Sequence, residues 1–476
     1  MALWGYYRTC WIINHLPAIV QKTAIFSRRA GFPHCVSQNP LSLNLLIDSI
    51  NRLENYIAKS NYLGYDPYDA LKSPLFRLPL FKSNKTLRFG FQQFIKRFPF
   101  NLRPLLAVPK GYNPVTLGLC IQGYANLLRG TGYEVRGTEK SSPSPFALSP
   151  EPPSAQSAEH KAQSKNAFTP EPCALSPMPV EYYLKRIDFL ILELKKLIPP
   201  GYHGACWGYD FPWEARYVSI PAYQPNIVAT GIIANALYSV YKITGDSECA
   251  ALIKSAAHFV LNDLNRTYAG DEFIFSYSPF DRQQVFNASM KGVRILAQAY
   301  SLSGNESLRS EALNATKFVV SNQKKDGSWG YSLADKGGWT DNYHSGYILD
   351  CLHEYELLCS DKQFDENLKV GYKFYYKHFI EENGIPRFYS INKWPGDCTA
   401  AGQTILTLCR FGDKNKALKV AEWTIKNMQS PSGGFYFRKY RYHTERTSFM
   451  RWSNAWMFAA LAELMTLKGE IKKADL

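Results

Sequence analysis

The chain of 476 residues is 46% hydrophobic and 14% aromatic and carries a formal net charge of +15. This hydrophobic content is enough for a large core, but no apolar run reaches the roughly 18 residues that a transmembrane helix needs. The ten cysteines contain no Cys-x-x-Cys pair, which argues against a zinc site or a disulfide framework and indicates scattered, reduced thiols in a cytoplasmic protein.

The first 38 residues look unlike the rest of the chain and are predicted to be a poorly defined N-terminal extension. Charged and polar residues interrupt Met1–Val20, and no small-residue cleavage site follows, so no signal peptide is predicted. The opening helix is predicted over Leu43–Ala58, with Ser42 as its N-cap.

Residues 72–110 form a basic-aromatic segment with nine basic residues, no acidic residue and seven phenylalanines. This mixture suits an anionic membrane surface, where each basic residue contributes on the order of 1 kcal/mol. The alternative is a solvated basic face on an ordinary helix. Nucleic acid is not favoured as a partner, because no recognised binding motif accompanies the charge.

Residues 137–177 are rich in Ser, Pro, Ala and Glu and almost lack large aliphatic residues, which predicts a disordered insertion. Residues 39–136 are then the first part of the folded body. The helical pattern resumes at Val180, so residues 178–476 are predicted to be the remainder of the same body.

Helix-start signals recur along the chain at intervals that settle to roughly 56 residues. Each start carries Asn or Asp, which are good N-cap residues, and most lead into small residues and an apolar helical pattern. The six predicted starts are Asn113, Asn226, Asn287, Asn342, Asp397 and Asn454.

Glycine-aromatic loops recur between these starts, at Gly270, Gly327, Gly384 and Gly433. The repeating unit is therefore an inner helix, an outer helix and a glycine-aromatic loop. A helical pair cannot bury its apolar face alone and must stack on its neighbours. The predicted fold is all-α, an (α/α) toroid of about six helical hairpins.

In such a ring, the loops that enter the inner helices gather at one mouth, where helix N-termini favour anionic ligands. The stretch 321–355 carries the densest polar cluster. Asp341 and His344 are predicted to be catalytic by acid/base chemistry, with Asn342 and Tyr343 binding substrate. The alternative is that Asp341 is only an N-cap and His344 a satisfied core histidine.

A second cluster combines two carboxylates with aromatic residues, as a sugar site requires. Asp210 and Glu214 are the predicted catalytic carboxylates, and the predicted substrate-binding residues around them are Trp207, Tyr209, Trp213 and Arg216. A structural loop held by an Arg216–Glu214 ion pair is the alternative interpretation.

Asp397 opens another inner helix and is also predicted to bind substrate. A basic-aromatic loop enters the last inner helix, and arginine suits bidentate binding of carboxylate or phosphate. Its predicted substrate-binding residues are His443, Arg446, Arg451 and Trp452. The alternative is a solvated loop. Neither a metal site nor a cofactor is predicted.

The hairpin period, the 323–330 loop and the Asn-started inner helices resemble α/α-toroid proteins, including six-hairpin glycosidases, uronyl lyases, sugar 2-epimerases and terpenoid cyclases. Five motifs are more closely similar to a bacterial family associated with polysaccharide biosynthesis and sometimes labelled delta-aminolevulinic acid dehydratase. They are 64–70 (Gly-Tyr-Asp-Pro-Tyr-Asp-Ala), 101–105 (Asn-Leu-Arg-Pro-Leu), 110–114 (Lys-Gly-Tyr-Asn-Pro), 206–209 (Cys-Trp-Gly-Tyr) and 341–346 (Asp-Asn-Tyr-His-Ser-Gly). That label implies a TIM barrel with a cysteine cluster, and this sequence shows neither.

The resemblance implies a carbohydrate-active protein of polysaccharide biosynthesis. Together with the candidate residues it predicts acid/base chemistry on an anionic oligosaccharide or sugar phosphate, as a hydrolase, lyase or epimerase. One alternative is a non-catalytic toroid that binds a glycan or a glycosyltransferase, peripheral at the inner membrane. Another is an isoprenoid cyclase-like protein, although no Asp-x-Asp-Asp motif is present.

Overall fold

Paired helices account for most of the protein in the computed structural model, which describes residues 40–98, 100–133, 178–214, 219–334 and 338–474. In chain order the helices are α1 (Pro40–Lys59), α2 (Pro79–Ser83), α3 (Lys85–Arg97), α4 (Pro114–Gly130), α5 (Val180–Lys196), α6 (Ile227–Thr244), α7 (Ser247–Asn262), α8 (Phe286–Ser303), α9 (Glu306–Ser321), α10 (Asn342–Leu358), α11 (Asp365–Phe379), α12 (Cys398–Arg410), α13 (Lys414–Met428) and α14 (Trp456–Ala474).

Six inner helices form a closed ring in the order α4, α6, α8, α10, α12 and α14, and α14 packs against α4 to complete it. The outer helices α5, α7, α9, α11 and α13 each pack on the inner helix before them. Helix α1, from the start of the described chain, packs on α14 and α13. The predicted all-α toroid of six hairpins is confirmed.

Short strands decorate the loops between hairpins. They are β1 (Trp213–Glu214), β2 (Ser219–Ile220), β3 (Arg266–Ala269), β4 (Glu272–Phe275), β5 (Arg387–Tyr389), β6 (Asn392–Asp397), β7 (Arg438–Lys439) and β8 (Thr444–Glu445). All pairings are antiparallel, and β5 to β8 form one four-stranded sheet in chain order. Two 3₁₀ turns, Asp69–Lys72 and Pro74–Arg77, precede α2, and a π-helix, Met450–Ala455, leads into α14.

Four of the six inner helices begin with a side-chain cap of the predicted kind, in which an Asn or Asp oxygen accepts a hydrogen bond from a backbone N–H of the first turn. The capping residues are Asn113, Asn226, Asp341 and Asp397. Asn287 and Asn454 depart from the prediction. Asn287 lies inside α8, which has no side-chain cap, and Asn454 lies in the π-helix, where it accepts from the N–H of Phe435 at 2.7 Å.

The opening helix begins three residues earlier than predicted, at Pro40, so Ser42 lies within α1 and is not its N-cap. The predicted extension 1–38 and insertion 137–177 lie outside the described residues. Helices from both sides of that insertion belong to one ring, because α4 packs against α5, α6 and α14.

Helix α6 is, within the described ranges, the one helix that is long and apolar enough to cross a membrane. Most of it is buried in the barrel wall. Its apolar character therefore follows from its place among the inner helices, which contact neighbours on every side.

Two of the glycine-aromatic loops are tied to the next outer helix by a glutamine side chain. Gln429 donates one side-chain N–H to Gly433 O and the other to Ser49 O of α1, both at 2.9 Å. Gln323 forms the same pair of bonds with Gly327 O and Asn367 O. The Gln429 loop joins the last hairpin to the first outer helix, so it helps to close the ring.

The closing loop yields a stability prediction. Gly433 has φ +97°, and a Cβ there would overlap the carbonyl oxygen of Arg52 in α1. Gly433→Ala should therefore lose about 2–4 kcal/mol of folding free energy, the sum of backbone strain and overpacking. Gly412 also has a positive φ, +82°, but a Cβ added there would have no neighbouring atom within 4 Å. Gly412→Ala should lose only about 1 kcal/mol. Equal losses in chemical denaturation would contradict the role of this contact.

Candidate functional site

Polar and aromatic residues from widely separated loops meet at the end of the barrel where the inner helices begin, which we call the mouth. Trp452, just before α14, has its ring 5.3 Å from that of Tyr343 in α10. The guanidinium of Arg451 lies 4.6 Å from the ring of Tyr209, which comes from the loop before α6. The ring closure therefore gathers three of the predicted clusters into one site.

His344 and Asp341 form the most chemically capable pair at the mouth. One carboxylate oxygen of Asp341 caps α10 by accepting the backbone N–H of His344 at 3.0 Å, and the other lies 2.7 Å from His344 Nδ1. An ionised carboxylate can only accept, so Nδ1 carries the proton and Nε2 is the nitrogen left to exchange one. Asp341 is fully buried, while the His344 side chain is 19% exposed.

An aromatic platform lies beside this pair. Tyr331 and Trp339 are stacked, with centroids 4.6 Å apart and planes 11° from parallel, and Trp339 is 41% exposed. The His344 ring lies 4.8 Å from Tyr331 and 4.3 Å from Tyr343. Tyr331 and Trp339 were not among the predicted site residues, because they lie in an irregular loop and no sequence period connects them with His344.

Arg451 is held by a buried bidentate ion pair. Its Nε and Nη2 donate to the two carboxylate oxygens of Asp66 at 2.7 and 2.9 Å. The guanidinium also lies 4.8 Å from the ring of Trp452. Burial would oppose its charge, but Asp66 raises the pKa of Arg451 and keeps it protonated. Asp66 thus occupies two of the Arg451 donors. These two groups hold the mouth together and are not available to bind an anionic ligand.

The two predicted catalytic carboxylates are also engaged by basic residues. Asp210 accepts from Lys72 at 2.9 Å and from Asn113 at 2.7 Å. Glu214 accepts from Arg88 at 2.6 Å and also from the hydroxyl of Ser219. Both carboxylates are buried. These bonds attach the basic-aromatic segment to one side of the mouth, so both carboxylates have a structural role.

Asp397 caps α12 and accepts from Arg438 Nε at 2.7 Å. Glu445 lies directly across the β7–β8 ladder from Arg438 and is buried. Burial raises the pKa of Glu445 to about 7, against the opposing effect of Arg438. Glu445 was not among the predicted site residues, since nothing in the sequence around it reveals that its side chain is buried.

Two predicted site residues, Trp207 and Asn342, lie in the wall of the barrel. Trp207 is fully buried and its indole N–H donates to Leu194 O of α5, so a ligand cannot stack on it. Asn342 is buried and bonded to Thr404 and Arg387 O. Both corrections have one cause, which is that these side chains point between helices.

Three other predicted residues lie at the edge of the mouth. Trp213 is half-buried in β1, and His443 is exposed and stacked on Tyr440 with centroids 4.4 Å apart. Arg446 is exposed, beside a separate groove that Lys110 also lines. Arg216 lies outside the described residues, so the predicted Arg216–Glu214 pair is not described.

Within the described ranges, no group of three His, Cys, Asp or Glu side chains is arranged to hold a metal ion. The described cysteines are buried and unpaired. Burial raises the pKa of the thiol of Cys398, beside Asp397, well above its usual value. That cysteine is therefore a poor nucleophile at neutral pH.

Solved structures with a similar fold include carbohydrate-active enzymes. The cellobiose 2-epimerase from Bacillus thermoamylovorans aligns with a TM-score of 0.52 and 10% identity over 75% of this chain and 88% of that chain. An unsaturated glucuronyl hydrolase specific for heparin aligns with a TM-score of 0.50 and 14% identity, over 91% of this chain and 99% of that chain. The GH76 α-mannanase from Bacteroides thetaiotaomicron aligns with a TM-score of 0.50 and 12% identity, over 75% of this chain and 87% of that chain.

These likenesses support the resemblance to six-hairpin glycosidase-like toroids at the level of the fold. No protein-family model matches the chain, and no curated protein sequence matches it. A sequence-level link to the polysaccharide-biosynthesis family is therefore not shown.

The buried Glu445 predicts a dependence of stability on pH. Its pKa is about 7 in the folded protein and 4.5 for the free side chain, so the unfolded state binds fewer protons between these values. Stability should therefore fall as pH rises through this window, by on the order of 3 kcal/mol for this group. Glu445→Gln should flatten the fall, as measured by denaturation from about pH 5 to pH 8. The exposed control Glu366→Gln should not, and identical wild-type and Glu445→Gln profiles would refute the assignment.

Proposed function

We propose that this protein is a carbohydrate-active enzyme in which His344, oriented by Asp341, transfers a proton to or from a sugar bound at the mouth. The observation that carries the proposal is the 2.7 Å contact between His344 Nδ1 and the buried Asp341 carboxylate, beside an exposed aromatic stack. The shared fold of the epimerase, the mannanase and the glucuronyl hydrolase is consistent with it.

His344 can act as both base and acid. With Nδ1–H held by Asp341, a neutral ring accepts a proton at Nε2, and the carboxylate stabilises the imidazolium that forms. The imidazolium can then give up that proton to the departing oxygen in an elimination, or to the opposite face of the reacting carbon in an epimerisation, once the planar intermediate has turned. Asp341 therefore positions the ring, and His344 is the residue that would contact the reacting atoms.

Epimerisation or elimination suits this site better than hydrolysis. Hydrolysis by the usual route requires two carboxyl groups on either side of the scissile bond, one of them protonated. Asp210 and Glu214 are each held in an ion pair, with Lys72 and Arg88, so neither carboxyl group is free to flank a scissile bond. Removal of a proton from carbon beside a carbonyl or carboxylate needs one positioned base, and His344 supplies it.

The substrate class follows from the surfaces around His344. The stacked Tyr331 and Trp339 offer a flat apolar face on which a pyranose ring can lie. Lys439 and Arg441, in the β7–β8 hairpin next to the start of α12, have no carboxylate partner within the described part of the chain. Inner-helix N-termini also point at the mouth. We therefore propose an anionic oligosaccharide, such as a uronate-containing glycan. A role in polysaccharide biosynthesis rests on the motif resemblance alone.

We also propose that the protein docks on an anionic membrane surface through the basic-aromatic segment. Within 75–105, apolar side chains are exposed at Leu75, Leu78, Leu80, Leu87, Phe89, Phe94, Phe100 and Leu105. The exposed cations Arg77, Lys82 and Arg97 lie among them, without any acidic residue. Exposed apolar groups interleaved with cations complement anionic headgroups above an acyl layer. This surface favours a peripheral location at the inner membrane.

The catalytic proposal predicts a selective loss of turnover. In a panel of uronate-containing and neutral oligosaccharides, His344→Ala should lower kcat by about 10²- to 10⁴-fold for any substrate that the wild type converts. Nuclear magnetic resonance would detect epimerised products, and ultraviolet absorbance the unsaturated products of elimination. Asp341→Asn preserves a good N-cap residue and should also lower kcat, because the ring loses its orienting carboxylate.

The chain offers a matched control. His203 forms a second His–Asp pair, with Asp263 at 2.8 Å, but its side chain is 67% exposed. His203→Ala should leave turnover unchanged. Full activity in His344→Ala would remove the proposal. Glycan binding by a wild type that converts no substrate would instead favour the non-catalytic toroid.

The docking proposal predicts a charge-dependent partition onto vesicles. The triple variant Arg77→Ala, Lys82→Ala, Arg97→Ala should partition onto phosphatidylserine-containing vesicles about 100-fold more weakly than the wild type. The control variant Lys254→Ala, Lys373→Ala, Lys377→Ala removes the same charge from exposed outer-helix positions and should change partition little. Equal co-sedimentation of the wild type with neutral and anionic vesicles would contradict docking.

A further inference from the structure

A second polar cavity lies within the ring of inner helices, and we call it the inner cavity. Its volume is about 480 Å³, and side chains from all six inner helices line it. Lining residues include Arg129, Lys242 and Arg410, which lie in the last turns of α4, α6 and α12, at the end opposite the mouth. This volume is within the usual range for small-molecule sites.

The charged side chains that line the inner cavity do not balance. Five cationic side chains and three acidic ones line it. Arg410 occupies two of the acids, with Glu354 at 3.0 Å and Asp350 at 3.7 Å, and Arg129 pairs with Glu463 at 2.9 Å. Those pairs leave three cations without a carboxylate partner among the described residues, namely Lys242, Lys291 and Arg294.

Lys291 and Arg294 are the most informative of these cations. They lie three residues apart on α8, which puts both on one face of the helix, and they are only 2% and 4% exposed. Lys291 Nζ has no hydrogen-bond acceptor within the described chain and lies 3.9 Å from the centre of the Tyr347 ring. Arg294 donates from Nη2 to Gly231 O, but its buried Nε has no partner.

Helix dipoles do not explain why Lys291 and Arg294 are buried at these positions. Basic side chains in the last turn of a helix are stabilised by the partial negative charge there, which accounts for Arg129, Lys242 and Arg410. Lys291 and Arg294 lie in the first half of α8, so that field does not favour them. Burial and the neighbouring Arg294 lower the pKa of Lys291 to about 7, which shows that the protein alone leaves its charge poorly compensated.

We propose that the inner cavity binds a phosphorylated small molecule of sugar-phosphate size, with Lys291 and Arg294 contacting the phosphate and Lys242 at the opening. A phosphate offers the acceptor oxygens that unpaired ammonium and guanidinium groups lack, and charge-assisted bonds to it are the strong kind. The amides of Gln122, Asn126 and Asn235 also line the cavity and suit hydroxyl groups. This site is separate from the mouth and does not depend on the proposed reaction.

Calorimetric titration of the full-length protein with glucose 6-phosphate, inorganic phosphate and glucose tests the assignment. Glucose 6-phosphate should bind, more tightly than either fragment probe. Lys291→Met preserves side-chain length but removes the charge, and it should weaken glucose 6-phosphate binding about 10- to 100-fold. Without ligand, the thermal unfolding midpoint of Lys291→Met should equal or exceed that of the wild type, because the substitution removes an unpaired buried charge.

Two controls separate this site from others. Lys254→Met, at an exposed position on α7, and His344→Ala, at the mouth, should both bind glucose 6-phosphate like the wild type. Arg294→Gln should weaken binding and provides a second variant if Lys291→Met does not fold. The proposal is overturned if the wild type binds neither phosphate probe, as a cavity holding only water would, or binds glucose as tightly as glucose 6-phosphate. Unchanged affinity in a folded Lys291→Met would also overturn it.

Discussion

Closure of the helical ring by contacts between the two ends of the described chain is the constraint on which both sites depend. The last inner helix, α14, has the first helix, α1, as its outer partner. Gln429 reaches Ser49 on the outside of this seam, while Arg451 binds Asp66 at the mouth, 385 residues away along the sequence. Without the seam, Trp452 and Tyr343 would not face each other, and the inner cavity would lack its α14 wall.

Helix capping explains why polar residues accumulate at the mouth. The first N–H groups of each inner helix need acceptors, so Asn and Asp recur there for structural reasons. A cap acquires a second role only where its other polar atom has a side-chain partner of its own. Asp341 has one in the imidazole of His344, and Asp397 has one in Arg438. For Asn113 that partner is Asp210, which is itself held by Lys72, so the second bond there is structural.

The fold could be predicted from the sequence because it repeats local information. N-caps, apolar periodicity and glycine turns each report on a few neighbouring residues, and ring closure follows once each hairpin must cover the next. The candidate site could be predicted only in part. His344 and Asp341 are three residues apart, so their pairing is local. The partners of Asp210 and Glu214 are 138 and 126 residues away, and no local pattern reveals that basic residues occupy these carboxylates.

The mouth and the inner cavity compensate their charges in opposite ways. At the mouth, Asp66 holds Arg451 and Asp397 holds Arg438, so these four charges are paired, and His344 is the partly exposed group positioned to exchange a proton with a ligand. In the inner cavity, Lys291 lacks such a partner, and a buried uncompensated charge is costly. Tyr347 lies between the two sites, with its ring 3.9 Å from Lys291 Nζ and 6.1 Å from the His344 ring. A ligand that drew Lys291 away from Tyr347 would therefore change the packing directly behind the proposed catalytic residue.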